Sequence, residues 1–232
     1  MNPFEAELDH PVWSCLATRH AHLARGTALA RRYAEAISPI GAVSATGAAH
    51  LAALEALVEV GDDVALIGPA PALGANWETL YASRLTQMIR RDRSPLPEGA
   101  VEPARLGDAD VPEMLALVEL THPGPFRTRT IELGHYIGIR HHGRLVAMAG
   151  ERMWIGDHRE VSAVCTHPDA QGRGLARALV GHVVNRMLRA GETPILHVDH
   201  PNRRAVEMYL ALGFVPRIEL PLLYAKRIAI LL

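Results

Sequence analysis

Residues 167–179 read HPDAQGRGLARAL, and no other stretch constrains the fold as much. Before it comes REVSAVCT, a β-branched, apolar run that ends at Pro168. After it, Leu175, Leu179, Val183, Val184, Met187 and Leu188 fall on one helical stripe that Gly191 stops. The glycines therefore join a strand to a long helix. Three readings compete for the turn: a helix start with no further role, a nucleotide cradle, or a seat for another phosphate. A helix N-terminus carries free N–H groups and partial positive charge, so it suits anions. Gly172 and Gly174 would let those groups approach a phosphate without a Cβ between them. Arg173 and Arg177 would add charge. A P-loop would need a lysine after its last glycine, and none stands near. A dinucleotide fingerprint would need Gly or Ala where Arg177 stands.

The flanking segments read in a definite order. VPEMLALVELT is a helix, and HYIGIRHHGRLVAMAGERMWIG is a hairpin turning at HHGR. After the glycine turn and its helix, PILHVD is a short strand. PNRRAVEMYLALG is a helix capped by Asn202 and ended at Gly213, and FVPRIELPLLYAKRIAILL gives one or two closing strands. Hairpins and crossovers together predict a mixed sheet with helices, an α/β arrangement of the α+β kind.

Gln171-Gly172-Arg173-Gly174-Leu175-Ala176 meets the pattern Q/R-x-x-G-x-G/A at Gln171, Gly174 and Ala176. Asn202, Ala205, Tyr209, Gly213 and Phe214 meet N-x-x-A-x-x-x-Y-x-x-x-G-F. In this order and context the chain resembles the GNAT N-acetyltransferase superfamily over roughly residues 101–227. The resemblance implies a mixed, mostly antiparallel sheet flanked by helices. It implies acetyl-coenzyme A as cofactor, with its pyrophosphate on the N–H groups from Gly172 to Ala176. It also implies that Val164, Cys165 and Thr166 form a freed strand edge for the pantetheine arm, with Asn202 and Tyr209 facing the cofactor. Tyr209 is the implied proton donor to the leaving thiolate. Glu160, eleven positions before Gln171, is the first candidate for general base, and Glu151 is the second. The resulting expectation is acetyl transfer to a primary amine by direct attack in a ternary complex, the acceptor being a small molecule or a peptide. The alternative is a non-catalytic acyl-coenzyme-A sensor or scaffold.

Other clusters carry less. Cys165 lacks a convincing base for an acyl-cysteine route. His197, Asp199 and His200 imitate a metal cluster, but His197 and His200 are three apart on a strand end and point to opposite faces, so no metal is expected.

RRDRSPLPEGAVEPARLG reads as a linker. It divides the chain into residues 1–96, a smaller α/β domain, and residues 97–232, the catalytic domain. A degenerate second copy of the GNAT-like fold is one reading of the first domain. There, HLARGTALARRYAEAI reads as a helix interrupted by Gly26, AAHLAALEALVEVG as a better helix, and DVALIG as a buried strand. A net charge of −1 argues against a nucleic-acid partner, and no apolar run is long enough for a membrane span. Two distant cysteines suit a reducing cytoplasm, and a single lysine among 24 basic residues suits a GC-rich bacterial source. A monomer or a homodimer is expected.

Overall fold

The computed structural model describes residues 3–99, 101–199 and 202–229, with backbone alone for 3–5. His200 lies outside the described residues. The helices are α1 (Pro11–Ala17), α2 (Ala48–Glu55), α3 (Val111–Thr121), α4 (Leu175–Arg189) and α5 (Arg203–Ala211). The strands of the first half are β1 (Ala24–Gly26), β2 (Ala30–Tyr33), β3 (Ile40–Val43), β4 (Asp63–Ile67) and β5 (Trp77–Ile89). Those of the second are β6 (Ala104–Arg105), β7 (Tyr136–His141), β8 (Arg144–Ile155), β9 (His158–Thr166), β10 (Thr193–Asp199) and β11 (Val215–Arg227).

All eleven strands form one sheet, in the order β1-β2-β3-β4-β11-β5-β10-β9-β8-β7-β6. Among the described residues only β3/β4 and β9/β10 are parallel, each pair joined through a helix. This corrects the expectation of a separate, smaller N-terminal domain over residues 1–96. The boundary near residue 97 lies in the connection between β5 and β6, but the strands interleave across it. The last strand, β11, enters between β4 and β5, and β5 in turn pairs with β10. Backbone pairing forces this arrangement. Thirteen-residue β5 and β11 run antiparallel from Val215 opposite Ile89 to Arg227 opposite Trp77, and neither could leave so many N–H and C=O groups unpaired in a core.

The expected helix over HLARGTALARRYAEAI is a hairpin instead. Gly26 sits at φ +122°, a left-handed conformation closed to most side chains, and the chain reverses into β2 with Thr27 N–H on the Ala30 carbonyl at 2.8 Å. Helix α2, strand β4, helix α3 and the hairpin β7–β8 fall where the pattern predicts them, and the tail forms one strand rather than two.

Successive residues of β8 divide the core. Ala147 and Ala149 pack under α4 and α5 with Leu179, Val183, Val184 and Tyr209. Met148 faces the opposite layer, with Met114 and Leu117 of α3 and with Cys165. A third cluster spans both halves: Cys15 and Leu16 of α1 pack with Ile40 and Ala65 of the first half and Met153 and Ile195 of the second. Helix α1 thus straddles the junction, and among the described residues no helix is long and apolar enough to cross a membrane.

Candidate active site

Strand β9 pairs irregularly with β8 at two points, one near its hairpin between Arg159 and Val161 and one where it nears the glycine turn. Ala163 takes φ +53°, rare for a residue with a side chain, and the pairing with β8 slips there. Met148 faces Cys165 while Gly150 faces Ser162, so β9 carries one residue more than its partner. On its other side β9 meets β10 only from His158 opposite Thr193 to Glu160 opposite Ile195. Beyond that point β10 pairs with β5 alone, so the two parallel strands splay and the β10-facing edge of Val164–Thr166 is left unpaired.

The glycine turn closes the splay. Gly172 and Gly174 lie at φ +75° and +74°, and a Cβ on either would meet open space, nothing standing within 4 Å. Gly174 is the N-cap of α4 and supplies no side-chain cap, and the first turn contains no acidic residue. The first intrahelical bond runs from Ala178 N–H to the Gly174 carbonyl, which leaves the N–H groups before it available to an outside acceptor.

These elements enclose a cleft of about 440 Å³, within the usual range for small-molecule sites. Val164, Cys165, Thr166, Gln171, Gly172, Gly174, Leu175, Ala176, Arg177, Asn202 and Tyr209 all line it. Arg173 does not line it: its guanidinium donates to the Asp169 carbonyl at 3.2 Å on the exposed side of the turn. Asn202 caps α5, its Oδ1 accepting from Ala205 N–H at 3.2 Å. Tyr209, two helical turns on, is 8 % exposed and stands edge-on to Phe214 at 5.9 Å. Burial pushes its phenol up, so the hydroxyl keeps its proton. Burial likewise raises the Cys165 thiol to about 11, which keeps it un-ionised near neutrality. The Thr166 hydroxyl oxygen is buried in the cleft wall without a hydrogen-bond partner among the described residues, a polar group that a ligand's amide or hydroxyl would satisfy.

Neither glutamate lines the cleft. Glu160 is fully buried on the side that faces α1. Arg152 donates to its two oxygens at 2.8 and 2.6 Å, Met153 N–H donates at 3.2 Å and His197 Nδ1 at 2.7 Å. Burial acts to raise its pKa, but the Arg152 charge, the Arg152 hydrogen bonds and His197 outweigh burial and hold the carboxyl well below the ordinary range. Glu151, also fully buried, pairs with Arg186 of α4 and lies 3.7 Å from Arg159. It ties the helix to the sheet.

His197 has two partners. Its other nitrogen, Nε2, lies 3.0 Å from Gln87 Nε2. Two contacts fix the orientation of that amide: Arg217, which can only donate, meets Gln87 Oε1 at 2.9 Å, and Gln87 Nε2 donates to the Leu8 carbonyl at 2.9 Å. His197 Nε2 therefore accepts and Nδ1 donates to Glu160, so the ring is committed as hydrogen-bond partner in the sheet rather than as metal ligand.

Sequence reasoning missed Arg204. It lines the cleft from the first turn of α5 and donates to Gln171 Oε1 at 3.4 Å. Its place two residues after the Asn202 cap was the available signal. Thr121 and His122, at the C-terminus of α3, also line the cleft and carry no motif.

Comparison with known proteins agrees with this geometry. Residues 136–220 match the FR47-like protein family. A solved acetyltransferase of the GNAT family from Novosphingobium aromaticivorans is 34 % identical, with a TM-score of 0.87 over 96 % of this chain and 99 % of that one. A GCN5-related N-acetyltransferase from Kribbella flavida is 15 % identical and shares the fold, with a TM-score of 0.64 over 98 % of this chain and 96 % of that one. No curated protein matches the sequence.

Proposed function

Because the chain belongs to the GNAT acetyltransferase family, we propose that it moves an acetyl group from acetyl-coenzyme A to a primary amine by direct attack in a ternary complex. The observation that carries this reading is the uncapped N-terminus of α4 opening onto the cleft at Gly174.

Each residue then has a task. The N–H groups around Gly172–Ala176 hold the diphosphate, with the α4 dipole adding to the attraction and Arg177 and Arg204 bordering the same cleft. The unpaired edge of Val164–Thr166 offers backbone groups to the pantetheine arm. When bound, the cofactor would supply an acetyl thioester, an electrophile for the amine whose leaving group departs on sulfur. Tyr209 gives its hydroxyl proton to that sulfur and regains one from solvent. The amine nitrogen releases its extra proton to water. Cys165, kept as a thiol, takes no part as a nucleophile. Glu160 serves by orienting Arg152 and Glu151 by anchoring α4, since both have their oxygens committed to arginines.

Titration with acetyl-coenzyme A followed by an amine panel tests this reading. Saturable binding with thiol release in the presence of an amine is expected. Saturable binding with no release across the panel would replace transfer with simple acyl-coenzyme-A recognition.

A further inference from the structure

Acetyl transfer obliges the amine nitrogen to shed a proton as its new bond forms. Neither buried glutamate can take it, since both have their oxygens committed to arginines. The titratable or charged residues that line the cofactor cleft are His122, Cys165, Arg177, Arg204 and Tyr209. The two arginines keep their protons. Burial raises the Cys165 thiol and the Tyr209 phenol, so both stay protonated as well. Of these side-chain types only imidazole ordinarily changes charge near neutrality.

The place of His122 in the fold suits a proton acceptor. Helix α3 belongs to the layer opposite α4 and α5, where its Met114 and Leu117 pack with Met148 and Cys165. Among the described residues of that helix and its cap, Thr121 and His122 alone line the cleft. Thr121 is hydrogen-bonded to the Cys165 thiol, which pins the end of the helix to the splayed edge of β9. His122 therefore meets the cleft beside Val164–Thr166, from the layer across the sheet from the glycine turn. Its ring is exposed and makes no hydrogen bond among the described residues, so its nitrogens are open to water. The backbone does not explain the residue. His122 caps α3 at φ 46° and ψ 53°, its N–H on the Val118 carbonyl at 2.8 Å. Glycine, or sometimes asparagine, ordinarily fills such a left-handed cap, so the turn itself has no need of an imidazole.

We infer that His122 is the general base of the transfer. Through one water, an unprotonated ring nitrogen takes the proton that the amine nitrogen sheds as the nitrogen–carbon bond forms and the carbon–sulfur bond breaks. The imidazolium then returns that proton to solvent. Tyr209 recovers from solvent the proton it gave to sulfur, so the cycle balances. The inference rests on the acetyltransferase reading for the reaction itself.

His122→Asn and His122→Gly keep the left-handed cap and remove the imidazole. Thiol release from acetyl-coenzyme A is followed with methylamine, 2-phenylethylamine, spermidine and alaninamide. Expressing kcat/KM per unprotonated amine divides out the amine's own ionisation. The wild type should lose activity on acidification from about pH 8 to 5, whereas both variants should give a flat profile, with kcat about 100-fold lower at the alkaline end. A wild-type slope or rate in the variants would overturn the inference. Neither the midpoint of thermal unfolding nor the calorimetric affinity for coenzyme A should fall in the variants. A fall in either that accounts for the kinetic loss would make His122 a structural or cofactor-binding residue instead. Coenzyme A should also shift the imidazole NMR signals of His122, assigned by their absence from His122→Asn, and signals that stay put would count against the base. No thiol release by the wild type with any of these amines is a separate outcome: the transfer reading falls, and the inference falls with it.

Discussion

At the scale of single residues, Gly174 is the most exposed to test. A Cβ at this position has room, but φ +74° strains any side chain, and a carboxylate would project toward the proposed diphosphate seat. Gly174→Glu is expected to weaken acetyl-coenzyme-A binding by at least about 100-fold, with Gly174→Ala much milder; equal losses by calorimetry would assign the effect to backbone strain. Tyr209→Phe should lower kcat by about 100-fold with little change in cofactor affinity, the mark of a proton donor rather than a packing residue. Glu160→Gln should leave the shape of the pH–rate profile unaltered, because the amine's own pKa sets the rise; a shifted profile would restore Glu160 as the base. His20 reports on stability. It is buried with Nδ1 2.9 Å from the Tyr33 hydroxyl, and burial, reinforced by Arg159 and His22, lowers its pKa from 6.5 to about 4. Between these values the unfolded chain takes up a proton that the folded one refuses. Stability is therefore expected to fall on acidification from pH 6.5 to 4, by up to about 3 kcal/mol, and the slope should flatten in His20→Gln when denaturant unfolding is followed against pH. Most residues that line the cleft could be read from the sequence because glycine and cap positions act through the backbone. The glutamates could not, because strand alternation tells which face a side chain occupies and not that Arg152 or Arg186 awaits it there.

At the scale of elements, the connection from α3 to β7 has the clearest consequence. It supplies His122 and Pro123 to the cleft at the glycine turn, yet it is anchored in the other half of the chain. Arg129 N–H donates to the Ala36 carbonyl at 2.8 Å, the Thr130 hydroxyl donates to the Ile37 carbonyl at 2.5 Å, and Arg127 reaches both oxygens of Asp63 at 3.1 and 3.0 Å. The Tyr224 hydroxyl shares Asp63. The first half thus shapes the wall that an acceptor would meet. Asp63→Asn should raise the acceptor KM several-fold while leaving acetyl-coenzyme-A affinity as it was, and faster amide exchange over residues 123–133 would accompany it. None of these ties has a local signature, because each joins residues far apart in the chain. By contrast α4, α5 and the hairpin β7–β8 could be read directly: each carries its own periodicity, turn residues and stop.

At the scale of the molecule, the two halves share one hydrogen-bonded sheet. Residues 97–232 alone would lack β5, leaving the neighbouring edges of β10 and β11 without partners in the middle of the core. That fragment is expected to aggregate, whereas the whole chain should unfold in a single transition by both fluorescence and circular dichroism. A soluble, acetyl-coenzyme-A-binding fragment would contradict this. The linker-like composition of residues 90–107 misleads here, since a polar, proline-rich connection on the surface looks the same whether it joins two bodies or crosses one.

The place of β11 also sets an order of events at the ribosome. While residues up to 214 emerge, β4 and β5 have no strand to bridge them, and the first half waits as an unfinished template with bare edges. Closure comes only when Val215–Arg227 clears the exit tunnel and threads between them. Such distant pairing makes for slow maturation of the newborn polypeptide.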